Sequence, residues 1–200
     1  MPRVTALRPA RPGHVLVELD GERWRTVSLD VAARSGLSVG LELDRDRLRT
    51  LRRELRRDDA LTAGVRALGR RDRSEQGLRS ILERKGVGAR EREEAVATLR
   101  RHGALDDERF ARARATALAE RGFGDAAIAF RLDQEGIGAE SSAAALAALE
   151  PECDRALRLA AGRDASPRTV RWLAGRGFAS ESIEAAVAQM EGPELGYEST

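Results

Sequence analysis

The 200-residue sequence has one cysteine, two histidines, 4% aromatic residues and no long apolar run, and each shortage excludes a class of protein. Cys153 alone cannot form an internal disulfide. With only His14 and His102 beside it there is no Cys/His cluster, so structural zinc is not expected either. Apolar stretches run for a few residues, far below the roughly 20 that a membrane-crossing helix needs. The start, Met1-Pro2-Arg3-Val4-Thr5, lacks an apolar core before a small-residue cleavage site; no secretory signal is expected, and the cytoplasm is the default compartment. No Gly-x-x-x-x-Gly-Lys-Ser/Thr loop is present to cradle nucleotide phosphates. The sequence therefore predicts no metal, no cofactor and no enzymatic activity. Scarce rings also argue against single-strand binding by base stacking, which needs exposed aromatic faces.

The charges that are present nearly balance, 35 Lys+Arg against 33 Asp+Glu, but they are unevenly spread. Basic and acidic side chains number 13 and 10 in residues 1–60, 11 and 6 in 61–105, 5 and 8 in 106–149, and 6 and 9 in 150–200. The basic half suits a polyanion or an acidic protein surface, whereas DNA would repel the acidic half at long range. Lys85 is the only lysine, a bias that GC-rich coding explains as well as selection for the guanidinium fork does, so arginine abundance is not itself a sign of phosphate binding.

Val15, Val17 and Leu19 alternate with Leu16 and Glu18, and Asp20-Gly21 separates them from Trp24, Thr26 and Ser28. Asp-Gly between such runs predicts a β-hairpin, because both turn positions need positive φ. Val4 to Leu7 adds a possible third strand, with Pro9 and Pro12 confining it to an edge. Leu29 to Arg34 reads as one helical turn stopped by Gly36. From Asp44, an N-cap, Leu48, Leu51 and Leu55 recur at helical spacing, and Arg45, Arg49, Arg52, Arg53 and Arg56 form a solvated face. Residues 1–58 are thus an N-terminal extension of hairpin and basic helix.

Helical periodicity continues to residue 190. Leu82-x-x-x-Gly86-Val87, Leu132-x-x-x-Gly136-Ile137 and Leu173-x-x-x-Gly177-Phe178 each place a glycine cap and a following apolar residue at a helix end. Downstream lie Val96 and Leu99, Leu146 and Leu149, Val187 and Met190, pairs able to bury together on the next helix. Upstream of each unit is another helix, around Val65 and Leu68, Phe110 to Leu118, and Ala156 to Ala160. The fold class predicted is mainly α, with three-helix, helix-turn-helix-like repeats at 59–105, 106–149 and 150–190 in an elongated curved array, and a disordered tail at 191–200. Phe110, Phe123, Phe130, Trp172 and Phe178 read as core.

Two strings go beyond periodicity. Arg73-Ser74-Glu75-Gln76-Gly77-Leu78 precedes the first cap, and Gly103-Ala104-Leu105-Asp106-Asp107-Glu108-Arg109-Phe110-Ala111 opens the second repeat. Ser74 suits an N-cap, and Asp106 with Asp107 suits the start of the helix led by Phe110; adjacent acids there need no metal or acid–base role. With the glycine caps, these strings resemble the RecX family, regulators of the bacterial recombinase RecA, over about residues 60–190. Gly77 departs from that family's pattern, as does the tail after Met190.

The resemblance implies a protein that binds the RecA filament on single-stranded DNA, lies in its helical groove, and inhibits ATPase, filament extension and strand exchange, modulating recombination, repair and the SOS response; no heptad seam asks for a dimer, so a monomer is expected. The residues expected to contact RecA or DNA, single- or double-stranded, are Arg70, Arg71, Arg73, Arg79, Arg84 and Lys85, with Arg121, Arg131 and Arg176 as weaker candidates. The motif residues expected to be structural are Gly86, Asp106, Asp107, Phe110, Gly136 and Gly177. A sequence-independent DNA-binding protein or a helical scaffold for another protein would use the same residues.

Overall fold

In the computed structural model, which describes residues 1–191, Asp20 and Gly21 take φ values of 51° and 87°, the backbone that a two-residue hairpin turn requires. They join β2 (His14–Leu19) to β3 (Glu22–Ser28), and β1 (Val4–Pro9) completes an antiparallel sheet in the order β1-β2-β3. Pro9 ends the edge strand. The outer side of β1 is covered, since Val4 N–H donates to the Leu41 carbonyl at 2.9 Å and Leu43 N–H to the Pro2 carbonyl at 2.8 Å, which blunts an edge otherwise open to pairing. Ser28 caps α1 (Leu29–Arg34), and Gly36, at φ 66°, ends it.

Asp44 starts α2 (Arg45–Leu68), accepting the Arg47 N–H at 2.8 Å. The sequence reading separates a basic helix here from another around Val65 and Leu68; the structure makes them one helix of 24 residues, about 36 Å long at 1.5 Å per residue. No proline interrupts it, and Gly64 serves packing, because a Cβ there would lie 2.7 Å from Leu99 Cδ1. The expected boundary at residue 58 falls inside this helix. Arg45, Arg49, Arg52, Arg53 and Arg56 all lie on its exposed side.

The later helices are α3 (Glu75–Arg84), α4 (Ala89–Arg101), α5 (Asp107–Glu120), α6 (Asp125–Gln134), α7 (Ala139–Ala147), α8 (Glu152–Ala160), α9 (Pro167–Ala174) and α10 (Ser180–Glu191). Apart from Glu191, which closes α10, the expected tail lies outside the described residues. The chain divides into two compact units, Met1–Arg71 with Leu78–Ala104, and Asp72–Gly77 with the chain from Leu105. In the first, the sheet, α1 and the start of α2 enclose Val17, Val27, Val31, Leu43, Leu51 and Leu55; Leu78, Leu82, Val96 and Leu99 are buried further along. In the second, α5, α6 and α7 share a core of Ala111, Ala115, Leu118, Ile128, Leu132, Ile137 and Ala145. Helices α8, α9 and α10 share another, of Ala156, Ala160, Leu173, Phe178, Ile183 and Ala186.

Gly86, Gly136 and Gly177 take φ of 75°, 79° and 84°. The N–H of the next residue donates back to the leucine carbonyl of each motif, Val87 to Leu82 at 3.0 Å, Ile137 to Leu132 at 3.0 Å and Phe178 to Leu173 at 3.4 Å, the closure of a left-handed glycine cap. The same bond closes at Gly103, from Ala104 to Leu99 at 2.9 Å, and at Gly122, from Phe123 to Leu118 at 3.2 Å. The pattern therefore marks five helix ends, not three, and is a stop signal before it is a repeat signal. Val96 and Leu99 are buried as expected. In α7 and α10 the deeper positions are Ser142 with Ala145 and Ile183 with Ala186, while Leu146, Leu149, Val187 and Met190 are half-buried.

The reading of all five aromatics as core is corrected at Phe130, which is 61% exposed. Helix α6 buries Ile128 and Leu132, and a residue midway between such a pair points to the opposite side. Among the described residues no helix is long and apolar enough to cross a membrane.

Candidate functional site

The two motif strings meet in the second unit. Ser74 Oγ accepts the Gly77 N–H at 3.0 Å, capping α3, and donates to the Glu135 carbonyl. Gly77 suits this tight turn, since a Cβ there would lie 3.1 Å from Ser74 Oγ. Asp106 caps its own helix, accepting the Arg109 N–H at 2.9 Å, while Asp107 reaches across to accept the Glu75 N–H at 2.8 Å. The adjacent acids thus serve two different helix starts, where negative charge complements unpaired N–H groups. Gly136 completes the joint: a Cβ there would lie 2.4 Å from Gln76 Cβ. Phe110 packs half-buried on the core of α5, α6 and α7.

A second joint repeats these parts at the start of α6. Glu152 accepts the Asp125 N–H at 2.6 Å and the Ala179 N–H at 3.1 Å. A Cβ on Gly177 would lie 2.5 Å from Ala127 Cβ. Buried Arg155 donates to the Glu150 and Phe123 carbonyls at 2.9 and 3.1 Å and pairs with Asp125. Gly124, Glu152 and Arg155 carry no motif of their own in sequence; the offset of 50 residues from Ser74 to Gly124, the same as from Gly86 to Gly136, marks Gly124 alone. Gly86 differs, with nothing within 4 Å of a Cβ.

The basic candidates separate by what holds them. Arg79 pairs with Glu93 at 3.0 Å, and Arg73 is half-buried in the second unit. Arg70, Arg71, Arg84 and Lys85 are exposed at the ends of α2 and α3 and make no ion pair among the described residues. Lys85 and Gly86 border a shallow groove with Arg56, Ala60 and Glu91.

The three weaker candidates come together in the second unit. The Arg131 guanidinium lies 4.1 Å from the Phe123 ring centroid, with Arg121 at 5.6 Å. Arg176 lies 4.8 Å from the Trp172 ring, and Arg163, which no sequence motif marks, lies 3.9 Å from it. Arg176 Nη1 also donates to the Arg121 and Gly122 carbonyls at 3.2 and 3.1 Å. None of the four pairs with a carboxylate among the described residues. The i,i+4 spacing of Trp172 and Arg176 is legible in sequence; the approach of Arg163 to Trp172 is not, because a turn intervenes.

Two carboxylates of the first unit, Glu54 and Glu91, are perturbed. Burial pushes the Glu54 carboxyl up, but hydrogen bonds and charge from Arg34 and Arg53 outweigh it and hold the group below the usual range. A hydrogen bond from Arg56 holds Glu91 low. Both sit in ion pairs on α2 and α4, a structural role. Among the described residues no three His, Cys, Asp or Glu side chains are placed to hold a metal.

No family model matches the chain. A relative from Serratia proteamaculans named Regulatory protein RecX is 30% identical over 159 residues, covering 64% of this chain and 95% of the relative. Another of that name, from Syntrophotalea carbinolica, is 42% identical over 66 residues, 33% of this chain and 43% of the relative, so the chain matches less than half of that protein's length. Among solved structures, a regulatory protein RecX superposes with a TM-score of 0.77 at 21% identity, covering 92% of this chain and 98% of the other. RecX from Lactobacillus salivarius gives 0.62 at 16% identity, over 68% and 97%. The latter two comparisons establish a shared fold.

Proposed function

Because the chain belongs to the RecX family of regulatory proteins, we propose that it regulates the RecA recombinase by binding the RecA filament on single-stranded DNA, in its helical groove, and inhibiting ATPase, extension and strand exchange. In this reading it acts in the cytoplasm as a monomer and without enzymatic chemistry, modulating homologous recombination, DNA repair and the SOS response. Residues 59–105, 106–149 and 150–190 act as tandem three-helix repeats in a curved array, behind an extension at 1–58 whose last helix, α2, runs on into the first repeat. The observation that carries the reading is the relative matched over 95% of its length, and the meeting of Ser74-Glu75 with Asp107 supports it. A long module can touch several protomers, so that modest contacts sum through effective concentration.

The cations expected to face RecA or DNA are Arg70, Arg71, Arg73, Arg79, Arg84 and Lys85, of which Arg70, Arg71, Arg84 and Lys85 are exposed. Single-stranded-DNA-dependent RecA ATPase, titrated with this protein on preformed filaments, tests the reading. Inhibition well below one copy per RecA is expected. Inhibition only near saturation of the DNA would point to simple competition by a sequence-independent DNA binder, and no effect at all would overturn RecA as partner.

A further inference from the structure

We infer that Arg131, Arg121, Arg176 and Arg163, mounted on Phe123 and Trp172, form a binding strip for the phosphate backbone of a nucleic acid, recognised without reading its bases. This deepens the proposal above and rests on it for the presence of nucleic acid. The four guanidiniums lie in the part of the chain whose net charge is negative, yet none is spent on a carboxylate among the described residues. They are also held in place. Phe123 packs on the core of α5, α6 and α7, and Trp172 on that of α8, α9 and α10, so the rings are anchored and the guanidiniums lie over them at 4.1 and 3.9 Å. Arg176 ties the two ring sites together through the Arg121 and Gly122 carbonyls.

Chemistry selects the ligand. A planar guanidinium stacked on a ring keeps its N–H edge for an oxyanion, matches phosphate bidentately, and loses little rotamer freedom on binding because it is already ordered. The rings themselves are occupied by these guanidiniums and half-buried, which disfavours base stacking and leaves the backbone as the feature recognised. A folded acidic protein is the poorer fit, since such interfaces centre on an exposed apolar anchor. The exposed large apolar side chain nearest in sequence, Phe130, lies on the opposite side of α6 from Ile128 and Leu132, and the guanidiniums of Arg121 and Arg131 lie over Phe123 rather than over it.

The test is binding of the full chain to a labelled single-stranded thymidine oligonucleotide across a salt series. Arg131→Gln with Arg163→Gln is the informative variant, because among the described residues their guanidiniums contact rings alone, whereas Arg176 also holds backbone. Two lost phosphate contacts should flatten the log-affinity against log-salt slope by about 1.4 and weaken binding several-fold at low salt. Arg49→Gln with Arg52→Gln on α2 should leave the slope within about 0.3 of the parent, less than half of one contact. In a Trp24→Phe background, Trp172 is the sole tryptophan, and its emission should change on oligonucleotide binding. An unchanged slope with unchanged Trp172 emission overturns the strip. So does loss of RecA inhibition with the oligonucleotide slope intact, which would assign the strip to a protein surface. Because the oligonucleotide assay contains no RecA, failure of the RecA reading leaves it unaffected.

Discussion

In the first unit Arg53, Arg56, Arg57, Arg79, Arg90 and Arg92 each lie within 4.0 Å of a glutamate, while in the second Arg121, Arg131, Arg163 and Arg176 lie against rings and carbonyls with no carboxylate among the described residues. The unit richer in positive charge spends much of it internally. The glycine caps differ in the same way: Gly86 in the first unit has open space where a Cβ would go, and Gly136 and Gly177 in the second have side chains pressed against them. Identical sequence signals thus serve a local stop in one unit and a packing joint in the other, and net charge is a poor guide to which cations are available.

The caps give the largest expected contrast. Gly177→Ala forces a left-handed φ of 84° on alanine and drives its Cβ to 2.5 Å from Ala127, so a loss of about 3 kcal/mol or more is expected. Gly86→Ala meets only the backbone strain, about 1–2 kcal/mol. Urea midpoints separate the two, and equal losses would break the distinction between stop and joint.

The joints offer the next step down. Glu152→Ala removes the acceptor for two N–H groups, 2.6 and 3.1 Å away, and should cost about 1–2 kcal/mol. Glu83→Ala in the first unit removes a pair whose carboxylate is exposed, Arg92 at 3.3 Å, and should change stability by less than about 0.5 kcal/mol. A Glu152→Ala protein as stable as the Glu83→Ala one would show that the second joint is ornamental.

How far these features could be read from sequence follows from the range over which each acts. The hairpin at Asp20-Gly21, the N-caps at Ser74, Asp44 and Asp106, and the glycine caps are local, and a few neighbouring residues determine them. The continuity of α2 is not legible because two apolar patterns, one facing the sheet and α1 and one facing α4, read as two helices although nothing between them stops a helix. Phe130 reads as core from its size and its place in an apolar helical stretch, but its spacing from Ile128 and Leu132 sets it on the other side of α6. Asp107 reads as serving its own helix, but its bond to Glu75 spans 32 residues, and no local rule predicts it. Of the basic site residues, sequence favoured the run from Arg70 to Lys85 because they are close along the chain, whereas Arg163 joins Arg176 only through the Trp172 ring.

Acid should weaken the first unit through Glu54. Its carboxylate is buried and held below the usual range, so the sign is that of a depressed acid: the stabilisation is complete above the unfolded value of about 4.3 and is lost as pH falls through the lower folded one. Glu54→Gln removes that dependence, and the gap in urea midpoint between the parent and this variant should narrow as pH drops from about 5 toward 2. A gap that stays constant over that range would mean that Arg34 and Arg53 stabilise the site without selecting its charged form.

The smallest expected effects bear most directly on the two groups of cations. Arg84→Gln with Lys85→Gln removes exposed charges that make no ion pair among the described residues, and stability should stay within about 0.5 kcal/mol of the parent. Arg131→Gln with Arg163→Gln removes two stacks on anchored rings and should cost about 1–2 kcal/mol in total. The order matters more than the size. Side chains that already contribute to the folded state are the ones ordered before any ligand arrives, so a measurable loss at Arg131 and Arg163, beside none at Arg84 and Lys85, would identify the second unit as the pre-organised surface. Equal and negligible losses would return the first-unit run to equal standing, because ordering would then have to be supplied by the ligand in both places.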